Sequence, residues 1–173
     1  MTCYHNKTMK EGGISVKKVV VAIDGSETSR NVVDYALYYA NREKDAQIVF
    51  LHVIEPYKSL WRSVSLKPYE DLMAAVEVSF KRFVEEEMDK IPVDRERMSL
   101  VTRLGVPYVE IVRFAEEEEA DIIMIGHRST FTGMERFLVG SVAAKVVSHA
   151  PCSVFVHRPK KGQASTQPVP AVF

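Results

Sequence analysis

One segment of the chain has the residue types that bind a negatively charged ligand. Gly126 and Gly140 bracket a mostly polar stretch, and Ser141 follows the second glycine directly. A helix that starts here has first-turn amides, those of Ser141 and Val142, without internal acceptors, and the positive end of its dipole favours an anion. We predict a phosphate-binding loop in which Arg128 adds a charge-assisted contact. The alternative is that Gly140 is only a turn and Ser141 only a helix cap.

A carboxylate stands at the end of another apolar run. Asp24 follows the β-branched run 19–23, and Gly126 follows the apolar run 122–125. In an open parallel sheet, ligands bind outside the carboxyl ends of strands whose connections leave toward opposite faces. If these two runs are neighbouring strands, Asp24 and Gly126 face each other across such a crevice.

The elements that must position these residues alternate along the chain. Compact apolar runs predict five strands, at 19–23, 48–54, 98–103, 122–125 and 154–156. Between them, apolar residues recur at helical spacing after Ser26, over 69–88, after Pro107 and after Ser141, with Ser26 and Ser141 as the predicted caps of their helices. Strands that are apolar on both faces suit a parallel sheet covered by helices. We therefore predict a doubly wound α/β sheet with helices on both faces.

Composition narrows the class of protein. The 173 residues carry 23 Lys and Arg against 23 Asp and Glu, so no overall field draws the protein to nucleic acid or to an anionic membrane. No signal peptide or membrane-spanning apolar run is apparent, which predicts a cytoplasmic protein. Residues 16–158 are expected to form one domain, with residues 1–15 and 159–173 as flexible tails.

Several motifs of other protein classes are missing from the sequence. The P-loop pattern, the dinucleotide pattern after the first strand and the G-x-S-x-G elbow of serine hydrolases do not occur. The histidines lack metal-ligand spacing, so no protein metal site is predicted.

Four segments together resemble the universal stress protein family, over roughly residues 16–158. These are VVVAIDGSETSRNVVDYALYYA, IVFLHVIEP, ADIIMIGHRS and ERFLVGSVAAKVVSHAPCSVFVHRP. The resemblance implies a five-stranded parallel sheet of order 3-2-1-4-5, which makes the first and fourth strands neighbours. Many members bind ATP through a G-x-x-G motif, nine residues and then G-[ST], with an Asp at the end of the first strand on the ribose.

The resemblance implies roles for particular residues here. Asp24 would bind the ribose, Val53 would lie beside the adenine, and the remaining contacts, to ribose and phosphates, would come from Gly126, Gly140, Ser141 and Val142. The sequence departs from the motif in two ways. Ser129, which is also a predicted cofactor contact, replaces the second glycine, and ten residues separate it from Gly140. ATP is the implied ligand, with Mg²⁺ as its companion ion.

The resemblance also implies assembly and a mode of action. Members commonly dimerise through the fifth strand, which corresponds here to the segment from Cys152 to Val156. The leading hypothesis is an ATP-binding stress protein that acts as a switch or adaptor toward an unknown protein partner, with little or no turnover. One alternative is a slow ATP hydrolase or nucleotidyl-transfer enzyme that uses His127 or Asp24. Another is a dimeric interaction protein without nucleotide.

Overall fold

The computed structural model describes residues 16–55, 66–127 and 140–158. Within these residues, strands and helices alternate in the order β1 Lys18–Ile23, α1 Glu27–Arg42, β2 Gln47–Ile54, α2 Leu66–Met88, β3 Met98–Leu104, α3 Pro107–Glu117, β4 Ile122–Gly126, α4 Ser141–His149 and β5 Ser153–His157. Each predicted strand lies inside an observed one. The division into one domain over 16–158 and two tails stays a prediction.

The sheet has the predicted topology. Its strand order is β3-β2-β1-β4-β5, and every neighbouring pair is parallel. The chain moves from β1 outward to β2 and β3 and then returns to the other side of β1 for β4. The reversal puts a topological switch point between β1 and β4, where the sequence predicted the crevice.

Two apolar cores cover the two faces of the sheet. Alternate residues of β1 point to opposite faces, so that Val19 and Val21 pack against α1 and α2, whereas Val20 and Ala22 pack against α3 and α4. The residues of β1 from Val19 to Ile23 are all buried. This burial on both faces explains why the strand reads as a continuous apolar run.

Two predicted helix starts need correction. The α2 helix begins at Leu66, three residues before the first apolar residue of its predicted stripe. The cap of α4 is Gly140, and Ser141 is the first residue of the helix. The prediction that Ser141 caps α4 is therefore wrong. The prediction that Ser26 caps α1 is confirmed, because its side chain accepts the Ser29 N–H at 3.2 Å.

A pair of carboxyl groups lies where α1 meets α2. Asp34, which is half-buried, forms a hydrogen bond with Glu87, whose fully buried carboxylate also pairs with Arg30 and Lys90. Burial, followed by the hydrogen bond to Glu87 and its charge, raises the pKa of Asp34 from 3.8 to about 6. Folding therefore favours the protonated form of Asp34 relative to the unfolded chain, although the carboxyl is mostly ionised at pH 7.

This pair predicts a stability change with pH. A raised folded-state pKa gives stability that is complete below about 3.8 and lost as pH rises through about 6. Asp34→Asn should therefore stabilise the protein at pH 7, by about 1 kcal/mol after solvent screening is allowed for, and make little difference at pH 4. Urea unfolding of both proteins at the two pH values measures this. An equal difference at both pH values would contradict the linkage.

Candidate functional site

A cavity opens at the carboxyl edge of the sheet, at the switch point between β1 and β4. Its volume is about 670 Å³, within the range of small-molecule sites. The residues that line it come from the ends of β1, β2 and β4 and from the first turns of α1, α3 and α4; they are Ala22, Ile23, Asp24, Ser26, Thr28, Ser29, Leu51, Val53, Pro107, Ile111, Ile125, Gly126, His127, Gly140, Ser141, Val142 and Ala143. Six of the eight predicted site residues are on this cavity.

The other two predicted contacts, Arg128 and Ser129, lie outside the described residues. Their roles stay predictions. Among the described lining residues there is no lysine or arginine. In that part of the cavity, main-chain amides and the dipole at the start of α4 are features that favour an anion.

Asp24 is held in a tight turn after β1. Its Oδ1 accepts hydrogen bonds from the Ser26 N–H at 3.0 Å and from the Ser29 hydroxyl at 2.5 Å. The backbone then turns at Gly25, whose φ of +77° suits glycine. Asp24 itself is exposed on the cavity. Both of these bonds use Oδ1, which leaves the second carboxylate oxygen outside the hydrogen bonds of this turn.

The first turn of α4 presents main-chain donors to the same cavity. Gly140 donates its N–H to the His127 carbonyl at 2.8 Å, and its own carbonyl accepts from Ala144 at 2.9 Å. The amides of residues 141–143 precede the first intrahelical bond, and no side chain among the described residues caps them. Ser141 is exposed. Three neighbouring donors at the positive end of a helix therefore border the cavity.

Gly126 also meets a packing requirement that the sequence did not predict. The predicted roles of Gly126, a sharp turn after β4 and a close approach by a ligand, stay predictions. Among the described residues, positive φ angles in glycine occur at Gly25 and Gly105, so the φ of Gly126 does not itself require glycine. A Cβ on Gly126 would instead lie 2.7 Å from Cγ2 of Thr28, in the first turn of α1. The absence of a side chain lets α1 begin directly against the end of β4.

Gly126→Ala is therefore expected to reduce the free energy of unfolding by about 1–3 kcal/mol, because Thr28 is buried and cannot withdraw freely. Thr28→Ser removes the methyl group and keeps the hydroxyl. The double variant should recover most of the loss in chemical denaturation, with Thr28→Ser alone as the control. A double variant no more stable than Gly126→Ala would exclude this contact as the cause.

An apolar wall faces the polar turns. Val53, half-buried at the end of β2, lines the cavity together with Leu51, Pro107 and Ile111. Such a surface suits a flat aromatic ring. The cavity thus combines an apolar side, a carboxylate and a row of amide donors.

Sequence reasoning missed Ser29 and Thr28. Ser29 lies five residues after Asp24, and its hydroxyl also accepts the Asp24 N–H at 2.9 Å. The capping pattern at Ser26 was a signal for it, because Ser29 is the residue whose N–H that cap accepts. No local pattern identifies Thr28, because its contact with Gly126 depends on how α1 packs against β4.

Two further observations concern the described part of the chain. None of its helices combines the length and apolar character needed to cross a membrane. It contains no group of three or more His, Cys, Asp or Glu side chains placed to hold a metal ion.

Comparison with known proteins identifies relatives over nearly the whole chain. The profile of the Universal stress protein family matches residues 15–158. A universal stress protein of Methanocaldococcus jannaschii is 34% identical over 164 residues, which cover 90% of this chain and 91% of the relative.

Solved structures share the fold. A universal stress protein crystallised with cAMP has a TM-score of 0.61 at 21% identity, with 84% of this chain and 98% of the other covered. A universal stress protein family protein from Arabidopsis thaliana with AMP bound has a TM-score of 0.61 at 20% identity, covering 87% and 96% of the two chains. At these identities the likeness concerns the fold.

Proposed function

The chain belongs to the universal stress protein family, and from this premise we propose that it binds ATP in the switch-point cavity and acts as a nucleotide-dependent switch or adaptor in the cytoplasm. The observation that carries the proposal is that Asp24 and the first-turn amides of α4 border one cavity of about 670 Å³. The two family structures with AMP and cAMP support a nucleotide as the ligand class.

Each part of a nucleotide has a matching surface in the proposed complex. The base lies against the apolar wall at Val53, and the ribose hydroxyls donate to Asp24. The phosphates accept from the amides of Ser141 and Val142, with Gly126 and Gly140 allowing the ligand close to the main chain. Arg128 and Ser129 would supply further phosphate contacts. When ATP binds, Mg²⁺ would be held mainly by phosphate oxygens and water, as is usual for this ion.

A switch requires that two nucleotides bind with different affinity. A ligand shifts a conformational equilibrium only by its differential affinity for the two states, so that ATP and AMP must be discriminated if their exchange is to change the protein. Binding rather than rapid hydrolysis is the proposed activity, because the described lining of the cavity provides amide donors for phosphate, and its one carboxylate, that of Asp24, is assigned to the ribose.

The test is mass spectrometry of the nucleotide that co-purifies with the protein, followed by calorimetric titration with ATP and with AMP. ATP should bind at least about tenfold more tightly, which corresponds to one additional good charge-assisted contact. Equal affinities would contradict the switch and leave nucleotide binding intact. Absence of binding to either nucleotide would contradict the whole proposal.

Assembly into a homodimer is part of the proposal. β5 is an edge strand of the sheet, and an unprotected edge invites pairing with another strand. On the α1 side of this strand, the exposed Tyr35 ring stacks on Phe155 at 4.5 Å. Light scattering at micromolar concentration should give twice the mass of one chain. A monodisperse monomer would contradict dimerisation and leave the nucleotide site unaffected.

A further inference from the structure

The peptide group between Ile23 and Asp24 is held at both ends by side chains. The Ile23 carbonyl lies 2.9 Å from Nδ1 of His52, and the Asp24 N–H donates to the Ser29 hydroxyl at 2.9 Å. Because a carbonyl oxygen can only accept, Nδ1 of His52 must carry the proton. The two bonds fix the plane of this peptide, which sets the direction in which the Asp24 side chain leaves the backbone.

His52 is itself firmly placed. It lies on β2 directly opposite Ile23 in the β1–β2 register, and only 9% of the residue is exposed. Its ring stacks on Phe80 of α2, with centroids 3.4 Å apart and an interplanar angle of 17°. Burial lowers the pKa of His52, and so the ring is neutral at physiological pH with its single N–H directed to Ile23.

Phe80 also lies beside the turn that follows Asp24. Its Cζ atom would be 3.5 Å from a Cβ placed on Gly25. The ring therefore stacks on His52 and lies beside the Gly25 turn. His52 does not belong to the described lining of the cavity, so any effect it has on a ligand is indirect.

We propose that His52 is a positioning residue for sugar recognition: its Nδ1–H holds the Ile23–Asp24 peptide so that the Asp24 carboxylate meets the ribose hydroxyls of the bound nucleotide. This inference rests on the proposed nucleotide-binding function and adds a residue outside the cavity to it. The competing explanation is that His52 only fills space between β2 and α2. The two explanations differ in whether recognition of the ribose depends on the hydrogen-bond donor of His52 or on its ring.

Three variants separate the donor from the ring. His52→Asn keeps an amide donor close to the position of Nδ1 and loses the stack on Phe80. His52→Phe keeps an aromatic ring and the stack but loses the donor to Ile23. His52→Gln keeps a polar side chain of similar size and moves its donor toward the position of Nε2. Its expected result is the same as that of His52→Phe, so it can replace His52→Phe if that variant does not fold.

The measurement is calorimetric titration of each full-length protein with ATP and with 2′,3′-dideoxyATP, which lacks the hydroxyls that Asp24 would bind. The dissociation constant for 2′,3′-dideoxyATP divided by that for ATP measures sugar recognition separately from general damage to the cavity. We expect a ratio of about 10 or more for the wild type, a ratio at least about fivefold smaller for His52→Phe and His52→Gln, and one within about twofold of the wild type for His52→Asn.

The outcomes distinguish this inference from the proposed function. A wild-type ratio retained in His52→Phe and His52→Gln, or an equal fall in all three variants, would overturn the positioning role while ATP binding stands. Failure of the wild type to bind ATP would overturn the proposed function and the inference together. Melting temperatures measured alongside should not rank the variants in the order of their ratios, because His52→Asn loses the stack and keeps the sugar contact.

Discussion

Asp24→Ala is expected to weaken ATP binding by about 10- to 100-fold, the range of one or two hydrogen bonds to a charged group. The carboxylate borders the cavity, and its Oδ1 is already committed to Ser26 and Ser29. The ribose hydroxyls would therefore lose their one charged acceptor among the described lining residues. Titration calorimetry with ATP measures the change directly.

Asp24→Asn is the matched control for the turn itself. Its amide oxygen can still accept the Ser26 N–H and the Ser29 hydroxyl, so the turn is retained while the charge is lost. An intermediate loss of affinity is expected. Binding of 2′,3′-dideoxyATP should be almost the same in both variants and the wild type. If Asp24→Ala bound ATP within about twofold of the wild type, the ribose would not be at Asp24.

Ser141→Pro should weaken ATP binding by about tenfold or more while leaving α4 in place, because it deletes one amide donor and a hydroxyl. Proline is well tolerated at the first position of a helix, which Ser141 occupies. The preceding residue must be extended, and Gly140 already is, with φ of −54° and ψ of 148°. The substitution thus removes a donor without a clash in the backbone.

Ser141→Ala separates the hydroxyl from the amide. It should cost only a few-fold in ATP affinity, since the main-chain donor remains. Adenosine, which has no phosphate, should bind Ser141→Pro and the wild type almost equally. A loss for adenosine as large as that for ATP would mean that Ser141→Pro had deformed the cavity rather than removed a phosphate contact.

Local sequence patterns predicted the elements and the edge of the sheet on which the site lies. Apolar runs such as 19–23 identify a strand buried on both faces. Asp24 comes directly after β1, and Gly126 is the last residue of β4. The strand order came from the family resemblance, because periodicity does not state which strands are neighbours. Once β1 and β4 are adjacent, the positions of both residues at one crevice follow.

Contacts between distant residues could not be read from local patterns. The bond of His52 to the Ile23 carbonyl depends on the β1–β2 register, and the need for glycine at 126 depends on where Thr28 is placed by α1. The cap of α4 was misassigned by one residue because serine has the stronger capping preference, whereas here the extended backbone belongs to Gly140. Tertiary packing decided each of these cases.

The central claim is that ATP binds between the Asp24 turn and the first turn of α4. The most direct test is a titration of ¹⁵N-labelled protein with ATP, followed through its assigned amide resonances. The amides of Asp24 and of residues 141–143 should shift, while those of Lys17 and Lys18, which bond Asp121 Oδ2 at the opposite edge of the sheet, should not. Saturating shifts confined to the first group would support the account, whereas unchanged spectra, or shifts centred away from this cavity, would contradict it.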